Sequence, residues 1–162
     1  LSGLAEGQLD MAVLSGFGVE LGKGLDSRVT LSDPCMVMIS ASHPLAAKKE
    51  IHPRELKGMP IVLNRAQDSQ PSAGLIAGMY ANMGLRENKR MYADDFYSIA
   101  LIINTGIAFS IMPASMADWG IEGVVFRPVQ GFRAKARTLL VYPRGSQDTG
   151  IQSFVSLIRP KR

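Results

Sequence analysis

Cys35-Met36-Val37-Met38-Ile39-Ser40-Ala41, entered through Asp33-Pro34 and left through His43-Pro44-Leu45-Ala46, decides the fold class. The run is uncharged, short and bounded by turn signals. It reads as a strand covered on both faces, which places helices on both sides of its sheet. It is far too short to span a bilayer. Upstream, Leu9 to Leu14 is a second short apolar run, reached from a helix end at Gly7. Ser15 to Gly24 is a Gly-rich loop, and Arg28 to Leu31 is a short strand.

Downstream the pattern alternates. His52 to Gly58 is a one-turn helix with Pro at its start and Gly at its end. Met59 to Leu63 is a buried strand, Asn64 to Gln70 a polar loop, and Pro71 to Met83 an amphipathic helix stopped by Gly84. Its stripe is Leu75, Ile76, Met79, Tyr80 and Met83. Lys89 to Ala93 is a strand, and Asp94 or Asp95 caps a helix whose apolar set is Ile99, Leu101, Ile102 and Ile103. Ile107 to Met112, Val124 to Val129 and Thr138 to Tyr142 are further strands, with a short helix over Pro113 to Asp118. Ile151, Phe154, Val155 and Ile158 mark a last helix. Strands alternating with helices predict parallel βαβ units with right-handed crossovers.

The 162 residues are 46% hydrophobic and 20% charged, which excludes a disordered chain. One domain or two small lobes is the expectation. The net charge of +4 comes from scattered groups, Lys48–Lys49, Arg86 to Arg90, Arg127 to Arg144 and Arg159 to Arg162, and so reads as solvated surface. The single cysteine, Cys35, forms no internal disulfide and reads as a buried inert thiol. Leu1 to Gly7 reads as the end of a helix, so the chain looks like a fragment.

Little in the sequence supports catalysis. Gly16-Phe17-Gly18-Val19-Glu20-Leu21-Gly22 looks like a dinucleotide loop, but Leu21 holds the third glycine position and no helix follows to seat a phosphate. No cofactor is expected. His43 and His52 have no second ligand at metal spacing, so no metal site is expected. Asp94-Asp95 reads as one capping and one solvated carboxylate rather than an acid/base pair.

In an open parallel sheet, ligands bind beyond the C-terminal ends of the strands. Those ends are Ser15-Gly16, the loop from Asn64 to Gln70, and Ala93 to Tyr97. Two of them feed helix N-termini, at Pro71-Ser72 and at Asp95-Phe96, where free N–H groups and the positive dipole end favour anions. Arg65, Ser69, Gln70 and Ser72 add donors. The arrangement suits a small carboxylate. Residue by residue, the simpler reading is a polar loop and a capped helix.

Gly7-Gln8-Leu9-Asp10-Met11-Ala12-Val13 resembles the G-x-L-D-x-A-V segment of the effector-binding domain of LysR-type transcriptional regulators. Asp33 to Ala46 resembles that family's crossing strand and H-P-L-A signature, and Gly106 to Pro113 its glycine-flanked strand, with Ala108 in place of the second glycine. Pro113 to Met116 and Phe126 to Val129 resemble the branch sensing muconate and related acids.

The resemblance implies an α/β fold of two Rossmann-like lobes joined by two crossing strands, type 2 periplasmic-binding-protein-like. It implies lobe one over 1–40, without its first strand–helix unit, lobe two over 41–117, and a return to lobe one over 118–162. If the chain starts at Leu1, lobe one has an open edge that favours aggregation. The resemblance implies a cytoplasmic regulator that forms homodimers or tetramers. DNA contact would come from a helix-turn-helix domain outside this chain, and no membrane is involved. The effector would meet Ser15, Gly16, Arg65, Ser69, Gln70, Pro71, Ser72, Ala73, Asp95, Phe96 and Tyr97. A free-standing periplasmic solute-binding protein of the same fold is the alternative.

Overall fold

β-branched and apolar residues on both sides of Pro34 make one long strand. Proline's fixed φ is compatible with extended backbone, and its missing donor is harmless where a strand changes partners. In the computed structural model, which describes residues 1–17, 21–68 and 72–158, that strand runs unbroken from Leu25 to Ser40. The expectation of a short strand, a break at Asp33-Pro34 and a second strand is therefore corrected. Pro34 is exposed, and Cys35 N donates to Ala134 O at 2.9 Å just beyond it.

In chain order the elements are α1 (Ser2–Ala5), β1 (Ala12–Gly16), β2 (Leu25–Ser40), β3 (Ile61–Asn64), α2 (Arg65–Asp68), α3 (Ala73–Asn82), β4 (Arg90–Ala93), α4 (Phe96–Asn104), β5 (Ser110–Pro113), β6 (Val124–Arg127), β7 (Lys135–Pro143) and α5 (Thr149–Leu157). Three 3-10 helices, Pro44–Ala47, Pro53–Leu56 and Ala114–Trp119, join them. His43 and His52 cap the first two through Nδ1, which accepts from Leu45 N at 3.2 Å and Arg54 N at 3.1 Å.

The chain divides into two compact units, residues 1–33 with 136–162 and residues 34–135. In unit 1, β1 pairs antiparallel with β7, from Ala12 opposite Val141 to Gly16 opposite Arg137. Leu4, Leu25, Leu139 and Val141 form its core. Asp148 caps α5 by accepting from Ile151 N at 2.9 Å, and Arg28 Nη1 donates to Val155 O at the far end of that helix.

In unit 2, β5 and β6 each pair antiparallel with β2, while β3 and β4 pair in parallel. Residues 118–135 belong here, because β6 lies on β2. Met38, Val62, Ala93, Ile99, Ala100, Ile103 and Ala108 form the core over which α4 packs. Of the expected parallel βαβ units, β3/β4 pairs in parallel, and two isolated parallel bridges, Ile51 with Val129 and Ile61 with Phe109, join it, whereas β1/β7, β2/β5 and β2/β6 are antiparallel. The crossover rule governs strands joined by a helix; β1 and β7, or β2 and β6, are not so joined. Two stripe residues are also corrected. Leu75 is 52% exposed and Leu101 70% exposed, because each lies off the arc of Ile76 and Tyr80 or of Ile99 and Ile103.

Gly123 precedes β6 at φ +81°, and its Cα faces the Asn104 side chain so closely that a Cβ would sit 2.3 Å from Oδ1. Gly123→Ala is expected to cost at least about 1–2 kcal/mol from the left-handed backbone alone. Urea unfolding of the variant beside the parent measures it.

Candidate functional site

Parallel pairing with Asn64 opposite Ala93 brings the C-terminal ends of β3 and β4 side by side. Asn64 is a capping residue type at a strand-to-helix junction. Its Oδ1 accepts from Ala66 N at 2.9 Å and its Nδ2 donates to Asp94 O at 3.4 Å. The expected polar loop from Asn64 to Gln70 thus opens with a helical turn, α2, because Asn64 supplies its cap.

Arg65 Nε donates to Asp94 Oδ1 at 2.9 Å. Its guanidinium carbon lies 5.9 Å from the Tyr92 ring centroid, within cation–π range. The Arg65 and Asp94 side chains are 65% and 79% exposed, so the pair contributes little to stability. Its effect is to orient the guanidinium.

Asp95, not Asp94, caps α4. Oδ1 accepts from Ser98 N at 2.9 Å and Oδ2 from the Ser98 hydroxyl at 2.7 Å. The backbone N–H of Ser98 first, then its hydroxyl, hold the Asp95 carboxyl below the usual carboxylate range. A group with a lowered folded-state pKa stabilises fully above its unfolded value and loses that contribution as pH falls through the folded value. Asp95→Ala is therefore expected to melt below the parent at pH 7, with the gap closing as the solution is acidified. A melting-temperature series against pH checks it.

Phe96 and Tyr97 form the first turn of α4. Phe96 packs edge-on against Trp119, centroids 4.9 Å apart, and lies 6.0 Å from Tyr97, which is 63% exposed. At the head of α3, Ser72 makes no side-chain cap, although its carbonyl accepts from Ile76 N at 3.0 Å. The Ser72 side chain thus leaves the amides of the first α3 turn, Ala73 included, without a cap of its own.

The structure therefore gathers Arg65, Asp95, Phe96 and Tyr97 at the adjoining ends of β3 and β4, with Ser72 and Ala73 at the start of α3. Ser69, Gln70 and Pro71 lie outside the described residues. Ser15 and Gly16 lie at the C-terminal end of β1 in unit 1, where Thr138 Oγ1 donates to Ser15 Oγ at 3.2 Å. Asn64 and Asp94 lie within the strand ends that the sequence points to but not among its expected contacts, and Tyr92 lies outside both. Asn64 carried a signal, its residue type at a strand end; the Arg65–Asp94 pair becomes visible only from the β3/β4 register. Among the described residues, no group of three or more His, Cys, Asp or Glu side chains could hold a metal ion. Among them too, no helix is long and apolar enough to cross a membrane.

Two α/β units between which the chain passes twice, within β2 and β7, define a type 2 periplasmic-binding-like effector-binding fold. The sequence pattern of the LysR substrate binding domain matches residues 1–162, and the chain belongs to that family. It is 22% identical over 137 residues to the Hca operon transcriptional activator HcaR of Escherichia coli K12, covering 85% of this chain and 46% of HcaR. It is 28% identical over 144 residues to the HTH-type transcriptional regulator YnfL of the same organism, covering 87% and 47%. The chain thus spans about half the length of the curated relatives it matches.

Among solved structures, the BenM effector binding domain with its effector benzoate superposes with a TM-score of 0.81 at 18% identity, over 98% of this chain and 71% of that one. HinK, a LysR family regulator from Pseudomonas aeruginosa, gives 0.78 at 18% identity, over 97% and 54%. These likenesses are of fold.

Proposed function

We propose that this chain is the effector-sensing part of a LysR-type DNA-binding transcription regulator, and that its effector is a small anionic metabolite, a carboxylate. The observation that carries the chemistry is Arg65. Its guanidinium is anchored through one donor and remains 65% exposed, so it is both oriented and reachable. A planar fork of donors suits a carboxylate. The first turn of α3, which the Ser72 side chain does not cap, adds amides of the right polarity at Ser72 and Ala73. Asp95, Phe96 and Tyr97 flank the arginine, and Ser69, Gln70 and Pro71 complete the proposed contacts on that unit. Ser15 and Gly16 are those proposed on unit 1.

Effector binding would act by preferring one arrangement of the protein over another, a population shift whose size is set by the difference in affinity. DNA contact is assigned to a helix-turn-helix domain outside these residues, and assembly to homodimers or tetramers in the cytoplasm. The curated relatives are named as transcriptional regulators, which supports this reading over periplasmic transport.

A thermal-shift screen of the full-length regulator against small carboxylates, sugars and amines tests it. Stabilisation by at least one carboxylate, abolished in Arg65→Ala, is expected. Stabilisation by sugars or amines with no response to any acid overturns the anion assignment.

A further inference from the structure

Unit 1 carries a row of hydroxyls across three neighbouring strands. Thr30 on β2 donates through Oγ1 to the backbone oxygen of Thr138 on β7 at 3.0 Å. Thr138 in turn donates through Oγ1 to Ser15 Oγ on β1 at 3.2 Å. Ser15 and Thr138 are register partners of an antiparallel pair, so their side chains leave the sheet on the same face. Thr138 is β-branched, half-buried and stiff at χ1, whereas Ser15 is exposed and free to turn.

A serine hydroxyl has one proton and two lone pairs. Because Thr138 donates to Ser15 Oγ, one lone pair is taken. The Ser15 proton finds no acceptor among the described residues. The hydroxyl is thereby biased to donate outward. A ligand that only accepts, such as a carboxylate oxygen, completes the chain Thr138 to Ser15 to ligand. A ligand that only donates, such as an ammonium, can use only the one lone pair that Thr138 leaves and gives the Ser15 proton no acceptor.

We propose that Thr138 is a positioning residue for effector recognition: it fixes the Ser15 hydroxyl as a donor and so favours acceptor ligands over donor ligands. This rests on the reading of Ser15 as an effector contact. Thr138 itself need not touch the effector.

The test uses the full-length regulator with three carboxylate probes, benzoate, succinate and citrate, and titrates the one that binds tightest. Ser15→Ala is expected to weaken binding by about two- to tenfold, the worth of one neutral hydrogen bond. Thr138→Val, which keeps the shape and removes the donor, is expected to weaken it by a similar factor. Thr138→Ser restores parental affinity, and the double variant loses no more than Ser15→Ala alone, because the two act as one unit. Melting temperatures, read alongside, separate these changes from loss of fold, and Thr138→Ala serves if the valine variant does not fold.

Parental affinity in Thr138→Val with weakened binding in Ser15→Ala overturns the role of Thr138 and leaves the effector reading standing. So does a double variant whose losses simply multiply. If Ser15→Ala binds like the parent, or no probe binds at all, the effector-contact reading fails and the inference falls with it.

Discussion

Phe109→Ala is expected to lower the unfolding free energy by about 3–5 kcal/mol, the range for truncating a buried aromatic side chain. Phe109 is fully buried. Its ring meets Tyr80 edge-on at 6.3 Å, and its backbone is tied to the start of β3 at both ends. Phe109 N donates to Pro60 O at 3.1 Å, and Val62 N donates to Phe109 O at 2.9 Å. Removing the ring leaves a void against Tyr80, next to the strand that leads to Asn64 and Arg65. Against a typical total of 5–15 kcal/mol, the loss is a large share. Denaturant unfolding should show a lower midpoint, and binding of any carboxylate should weaken with it.

Asn88→Ala is expected to cost about 1–3 kcal/mol, because the Met59 carbonyl loses its Asn88 donor and the Leu56 carbonyl keeps only the backbone N–H of Met59. Asn88 is 8% exposed, and its amide ties together the turn that follows the Pro53–Leu56 helix. Nδ2 donates to Leu56 O at 2.7 Å and Met59 O at 2.8 Å, while Oδ1 accepts from Gly58 N at 3.4 Å. No other residue type of that size offers two donors and an acceptor in one plane. Asn88→Asp should therefore be worse at neutral pH, since it removes both donors and places a charge there. Burial raises the pKa of such a carboxyl, so the aspartate variant should recover part of its deficit as pH falls. Chemical unfolding of both variants at pH 5 and pH 8 separates the two effects.

Much of the local structure was legible from punctuation. His52-Pro53 opens the expected one-turn helix, Gly7 and Gly84 take up positive φ just beyond helix ends, and an aspartate at 94 or 95 announces a cap. These signals are legible because each is a contact within a few residues. Pairing across the chain was not. Pro34 looked like a break because proline usually ends strands; its tolerance depends on which strands lie beside it. The directions of β1 and β7 follow from how two distant segments meet, which hydropathy does not encode. In the candidate site, the α4 terminus could be read directly and its cap narrowed to Asp94 or Asp95. The Arg65–Asp94 pair and the Ser15–Thr138 bond could not, because each is created by a register between strands.

The antiparallel β1/β7 pair also constrains how this protein is made. Unit 2 is one continuous stretch, residues 34–135, and can fold as it leaves the ribosome. Unit 1 cannot, because β1 waits for β7 until all of unit 2 has been synthesised. At ordinary elongation rates that wait is on the order of ten seconds. Through it, Val13 and Leu14 have no β7 partner, and their pairing carries the slow kinetics of high contact order. Of the two units, the one that holds Ser15 is thus the later to be completed during translation, and the more exposed to chaperones and proteases beforehand.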